Sequence, residues 1–314
     1  MMLILLNTFF IIILSFNIKK ICSRRDSDPS LRLERRKNTP RERIKSEDLD
    51  KFIKLREIEG LSKRWLYDVR AALNNYLNAI KWKMNEDKSL EYFKQLKEHY
   101  STTSYRRRLY QIRKFLTFFG IDWAKNIKPP REPCYVPKHV ATDDIRKTLD
   151  YFKDHHLCKQ LQAVTLLGAT SGMRAEEIYQ LNPKDIDLEN RIVHINHYPD
   201  NGQTTKSGIS RISFFTEEAR SALSDYFEFY KSHSPLVRIF GQSHIERQFR
   251  KAPIKVMHLR KFFSQEWDRR GGPTSIKKIL MGHSLKGDVD LMHYNYQSEE
   301  DLKKIYDKVS INIL

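Results

Sequence analysis

Cysteine is nearly absent: Cys22, Cys134 and Cys158 are the three in 314 residues, far apart and without histidines at zinc-ligand spacing. That excludes a disulfide scaffold and a structural zinc module, and fits a reduced, intracellular chain. No internal repeat, long low-complexity tract or sustained heptad seam is evident, so solenoid and coiled-coil architectures are set aside. Acidic residues are also short, 39 against 57 Lys+Arg, for a formal net charge of +18. Such an imbalance favours polyanionic partners, nucleic acid first among them, although charge alone equally suits a solubilising surface.

Long apolar runs are missing except at the start. Met2 to Ile18 is apolar and is followed by Lys19, Lys20, Arg24 and Arg25. It is barely long enough to span a bilayer, is interrupted by Asn7 and Asn17, and lacks the basic residues that precede the core of an export signal. A membrane anchor and an over-extended start both remain open, with Met84 the next methionine after Met2.

The remaining chain is long enough for two cores. The expected organisation is an apolar segment and basic linker over 1–43, a helical domain over 44–127, a proline-rich linker over 128–138 (KPPREPCYVPK lies here) and a larger domain over 139–314. In the helical domain Ser62 can cap a helix that carries Trp65, Val69, Leu73, Tyr76 and Ile80 on one face. A second helix places Tyr105, Leu109, Ile112, Leu116 and Phe119 inward before Gly120 ends it. Its other faces carry Arg106, Arg107, Arg108, Arg113 and Lys114. Arg106, Arg107, Arg113 and Lys114 are assigned to phosphate contact, which positions a protein on nucleic acid without reading sequence.

The larger domain opens with a helix at Thr142-Asp143-Asp144 and continues into a largely apolar, buried helix from about Leu161 to Ala169. Alternating residues from Asp185 to Ile195 and from Ser210 to Phe215, around PDNGQTTKSG, predict a hairpin or small sheet. After Phe215 the pattern is helical. The fold class is mainly α, an α+β chain with one small antiparallel sheet.

Four segments carry candidate chemistry. Ser171-Gly172-Met173-Arg174 is a turn that can hold a guanidinium at a helix start, with Glu177 three residues on to orient it. Lys206 stands at the mobile tip of the predicted hairpin. Arg260 lies in Met257-His258-Leu259-Arg260 near the start of a helix. A Gly282-His283 turn precedes His293, Tyr294 and Tyr296.

In this order and spacing the segments resemble the catalytic domain of tyrosine recombinases, the phage integrase family. Its pattern is Arg, a hairpin Lys, His/Lys-x-x-Arg, Gly-His and Tyr. The resemblance covers about residues 44–314, with the helical block similar to the core-binding domain. It is nearest in flavour to archaeal virus and plasmid integrases, on GHS, HY and SEEDLKKIYDK.

The resemblance implies a site-specific recombinase that cuts and rejoins double-stranded DNA through a 3′-phosphotyrosyl intermediate, during integration or recombination of a mobile element. Arg174 and Arg260 would clamp the scissile phosphate, Lys206 would protonate the leaving 5′ oxygen, His283 would assist, and Tyr294 would be the nucleophile. Glu177 would support Arg174. No cofactor and no metal are implied, the cationic side chains taking the place of magnesium, and no carboxylate cluster is evident. A homotetramer on DNA and a cytoplasmic, DNA-associated location follow from the same resemblance. One position departs: Met257 stands where His or Lys belongs, with Lys255 and His258 as the neighbours able to replace it. Met257 keeps open a DNA-binding protein with impaired catalysis; a type IB topoisomerase would use the same phosphotyrosine chemistry. From Ser298 a capped helix with Leu302, Ile305 and Val309 on one side packs either on a neighbouring subunit or on its own domain.

Overall fold

The computed structural model describes residues 43–231, 238–283 and 297–314. The chain divides between Val136 and Pro137, inside the proline-rich stretch, into two compact units.

Among the described residues the first unit has four α-helices: α1 (Ser46–Ile58), α2 (Lys63–Ala79), α3 (Glu86–His99) and α4 (Thr102–Phe118). Side-chain caps start the middle two. Ser62 Oγ accepts from the Trp65 N–H at 3.3 Å, and Asn85 Oδ1 from the Lys88 N–H at 2.9 Å, each satisfying an amide with no partner inside its helix. The inward faces are the ones the periodicity marks: Val69, Leu73, Tyr76 and Ile80 from α2 and its end, and Tyr105, Leu109, Ile112 and Leu116 from α4. Tyr76 is wholly buried, and its hydroxyl meets Ser89 Oγ at 2.7 Å. Burial pushes its pKa up to about 12, so it stays a neutral hydrogen-bonding group.

The second unit contains α5 (Thr142–Tyr151), α6 (Cys158–Ser171), α7 (Ala175–Tyr179), β1 (Ile186–Asp187), β2 (Ile192–Ile195), β3 (Arg211–Phe214), α8 (Glu217–Lys231), α9 (Gln242–Phe249), α10 (Val256–Arg269), α11 (Thr274–Met281) and α12 (Glu299–Val309). Helix α6 is its axle. Leu161, Ala163, Val164, Leu166, Leu167 and Ala169 are all buried, as expected of a helix apolar on every side. Helices α8 and α10 pack against it. A Cβ on Gly168 would lie 2.7 Å from Leu259 Cδ1, so glycine is what lets α10 approach this closely. The sheet is antiparallel in the order β1-β2-β3, with Val193 opposite Ser213 and Ile195 opposite Arg211.

The C-terminal tail packs on its own unit. Leu302, Tyr306, Val309, Ile311 and Ile313 are buried, and the Tyr306 hydroxyl donates to the Thr170 carbonyl at 2.8 Å. Glu218 accepts from the N–H groups of Ile313 (3.0 Å) and Leu314 (2.8 Å). Among the described residues no helix is long and apolar enough to cross a membrane; the Met2 to Ile18 run and the linker that follows it lie outside them.

Candidate active site

Two glycine turns build the site. Helix α6 ends at Gly172, whose φ of +65° reverses the chain so that Arg174 becomes the N-cap of α7. Helix α11 ends at Gly282, with φ +63°, which aims the Met281 and Gly282 carbonyls back toward Arg174. A Cβ at either glycine would collide, with the Phe263 ring at 2.5 Å or the Arg211 guanidinium at 2.8 Å. Both positions therefore need glycine for conformation and for space.

Arg174, Glu177, Arg260 and His283 come together around these turns. Arg174 donates from Nη1 to Glu177 Oε1 at 2.9 Å and from Nη2 to the Gly282 carbonyl at 3.1 Å. Arg260 Nη1 donates to the carbonyls of Gly172 (2.7 Å) and Met281 (2.9 Å). His283 stands at the exposed rim, its N–H bonded to the Lys278 carbonyl at 2.9 Å.

A third guanidinium was not foreseen. Arg211, at the start of β3, donates from Nη1 and Nη2 to the two oxygens of Glu177 (3.0 and 2.7 Å) and from Nε to the Leu280 carbonyl at 2.9 Å. The sequence carried a partial signal, since alternation puts Arg211 on the same side of the strand as buried Ser213. Its partners come from distant segments and leave no local trace.

The electrostatics follow from three arginines around one carboxylate. Burial alone would raise the Glu177 pKa, but the hydrogen bonds and charge of Arg211, with those of Arg174, hold it below the ordinary carboxylate value. Burial, followed by the charge of Arg174, pushes Arg260 down to about 10, which leaves it protonated at neutral pH. Partial burial and then the charges of Arg260 and Arg174 lower His283, which favours its neutral form. The cup keeps a surplus of fixed positive charge and is built to receive an anion.

Lys206 is exposed on the turn between β2 and β3, without a carboxylate partner among the described residues. The turn is braced at many points, contrary to the expected mobile tip. The Thr205 N–H donates to His197 Nδ1 at 3.0 Å, the Ile209 N–H to Thr205 Oγ1 at 3.1 Å, and buried Gln203 to Asp185 Oδ2 at 2.7 Å. Polar side chains within this stretch supply hydrogen bonds that a loose loop would take from water.

Met257 is 66% exposed on the first turn of α10. His258 turns toward its own helix start, its Nδ1 3.4 Å from the Lys255 N–H. Burial and the charges of Lys261, Lys255 and Lys138 lower its pKa, and no arginine of the cup is among those influences. Lys255 is the exposed N-cap of α10. Tyr294, with His293 and Tyr296, lies outside the described residues.

Residues 138–300 match the sequence model of the phage integrase family. The chain belongs to that family. Among its relatives are the tyrosine recombinases XerA of Thermococcus onnurineus, 25% identical over 222 residues (69% of this chain, 75% of that protein), and of Thermococcus kodakarensis, 22% over 277 residues (86% and 93%). Two solved structures share the fold. One is the Tn1549 transposon integrase in complex with a circular intermediate DNA, at TM-score 0.61, 14% identity and 84% and 98% coverage. The other is a lambda integrase dimer bound to a COC′ core site, at TM-score 0.61, 11% identity and 81% and 98% coverage. This phage integrase family member is a tyrosine recombinase, an enzyme that cuts and rejoins DNA.

In the first unit of the recombinase the four cations assigned to phosphate contact are not equally available. Arg106 donates to the Pro130 carbonyl, Arg113 Nη2 to the Lys125 carbonyl at 3.1 Å, and Lys114 Nζ to Glu59 at 3.3 Å. Arg107 is exposed without such a partner among the described residues. It lines a hollow of about 350 Å³ between α2 and α4, with Trp65, Tyr100 and Arg108.

Proposed function

We propose that this chain breaks and rejoins double-stranded DNA at a specific site, as the integrase of a virus or plasmid, with Tyr294 forming a 3′-phosphotyrosyl link. The observation that carries the reading is the meeting of Arg174 and Arg260 beside His283, where the carbonyls of the Gly172 and Gly282 turns hold both guanidiniums.

The scissile phosphodiester enters the cup, and Arg174 and Arg260 donate to its nonbridging oxygens. Forked, permanently charged donors suit an oxyanion whose charge grows as phosphorus becomes five-coordinate. Tyr294 attacks phosphorus as its proton passes to water, and the bond to the 5′ oxygen breaks as Lys206 supplies that oxygen with a proton. His283, whose neutral form is favoured in the free enzyme by partial burial and the neighbouring arginines, hydrogen-bonds the phosphate. Rejoining is the reverse, with a 5′ hydroxyl attacking the phosphotyrosine. The phosphodiester's energy is kept in the covalent link, so the reaction as proposed uses neither a nucleotide cofactor nor a metal ion. Strand exchange takes place in a homotetramer that brings two duplexes together in the cytoplasm. Arg106, Arg107, Arg113 and Lys114 serve the duplex flanking the cut.

The test is a nicked suicide duplex carrying a site recovered from a random library by binding. Wild-type chain forms a covalent adduct that Tyr294→Phe abolishes. Site-specific binding without an adduct overturns the reading, and loss of the adduct in Tyr296→Phe alone moves the nucleophile to Tyr296.

A further inference from the structure

We propose that Arg211 is a positioning residue for DNA cleavage, its single buried guanidinium holding both Arg174 and the His283 turn in place; this rests on the recombinase reading above. The Arg211 side chain is 8% exposed, and its Nε, Nη1 and Nη2 are each engaged inside the protein, so it is not placed to touch a phosphate.

Its contacts close a ring. Glu177 takes Arg211 on both oxygens, and the same two oxygens take the Arg174 N–H at 2.8 Å and Arg174 Nη1 at 2.9 Å. Arg174 reaches the Gly282 carbonyl with its other nitrogen, and the helix behind that turn returns to Arg211 through the Leu280 carbonyl. Gly282 lies directly against the guanidinium, where a Cβ would come within 2.8 Å. Strand β3 is fixed in turn, because Ser213 Oγ donates to the Ser171 carbonyl at 2.6 Å, beside the Gly172 turn.

A guanidinium can do this because its donors lie in one plane, two toward a carboxylate and one sideways. Lysine keeps the charge that Glu177 requires but concentrates it at one nitrogen, which cannot serve both carboxylate oxygens and the Leu280 carbonyl at those positions. Arg211→Lys should therefore leave the fold and DNA affinity intact while letting Arg174 and His283 drift. A misplacement on the order of 1 Å in such groups costs about 100-fold in rate.

Single-turnover cleavage of the nicked duplex tests this, once with the natural 5′ oxygen and once with sulfur bridging at that position. A thiolate leaves without being protonated, so sulfur removes the need for Lys206. Arg211→Lys is expected to melt cooperatively and bind duplex as wild type does, yet cleave about 100-fold more slowly with either leaving group. Lys206→Ala should be slow with oxygen only. Cleavage at the wild-type rate overturns the proposal, and so does a defect that sulfur abolishes, which would assign Arg211 to the Lys206 turn. Should Arg211→Lys not fold, the neutral pair Glu177→Gln with Arg211→Gln replaces it, where a folded variant with slow cleavage supports the proposal and a wild-type rate refutes it. If wild type itself forms no adduct, the recombinase reading fails and this inference falls with it.

Discussion

Replacing Glu177 by glutamine perturbs the one negative charge among three guanidiniums. Glu177 is 4% exposed and accepts four hydrogen bonds, of 2.7 to 3.0 Å, from Arg174 and Arg211. The amide keeps the shape and one acceptor oxygen, but loses the charge and turns an N–H₂ toward an arginine. Removing one partner of a buried ion pair costs about 3–5 kcal/mol, and the retained oxygen places this case near the lower end, at about 3 kcal/mol. For a unit the size of Pro137–Leu314 that corresponds to a fall in Tm of roughly 6–12 °C. Urea and thermal unfolding at pH 7 measure it, and a double-mutant cycle with Arg211→Met isolates the pairing. The pH dependence has a definite sign. A carboxylate whose folded pKa is depressed contributes stability above its unfolded pKa, near 4.3, and loses it as pH falls through the lower folded value. The gap between wild type and Glu177→Gln should thus be constant around neutrality and narrow below about pH 4. A loss under about 1 kcal/mol, typical of an exposed pair, or a gap that persists in acid would refute the reasoning.

Three other outcomes follow from the site. Met257→His returns a proton-carrying group to the turn before Arg260, and single-turnover cleavage should rise by about 100-fold, the lower range of general acid–base effects; an unchanged rate would show that the position is not used. Arg107→Ala should lessen the dependence of DNA affinity on salt, lowering the log–log slope by about 0.9, whereas Lys114→Ala, whose partner is Glu59, should change it less; equal effects would contradict the assignment. His283 has a depressed pKa in the free protein, and an entering phosphate raises it, so binding takes up a proton and DNA affinity should strengthen as pH falls from 8 toward 5.5. Replacing His283 by alanine should flatten that profile, and a flat wild-type profile would sink the argument.

Helices α2 and α4 were legible from a buried face, whereas α1, which buries Leu49, Phe52 and Ile53, and α3, which buries Phe93 and Leu96, were read only as part of a helical domain. The α2 and α4 stripes repeat at three and four residues, and the Ser62 and Ser298 caps lie next to what they cap, so each signal is local. The β2–β3 pair was legible from alternation. The bracing of the turn between them was not, because Gln203 is tied to Asp185, which lies before β1 and outside the turn. Arg106, Arg113 and Lys114 read as free cations for the same reason: their acceptors at Pro130, Lys125 and Glu59 come from other parts of the first unit.

By itself the sequence determined which chemical groups are present and in what order: Arg174, Lys206, Arg260, His283 and Tyr294 on a basic chain, with Met257 out of pattern. Order and spacing are one-dimensional properties, and the family resemblance lives in them. Only the tertiary structure decided that one carboxylate, Glu177, serves two arginines, and that Arg211 closes the ring by which β3, α7 and the end of α11 hold one another. It also turned His258 toward its own helix start and left Met257 bare. These are matters of direction and distance between segments far apart in the chain, set by how α6 and α10 pack at Gly168 and by two turns that admit no side chain.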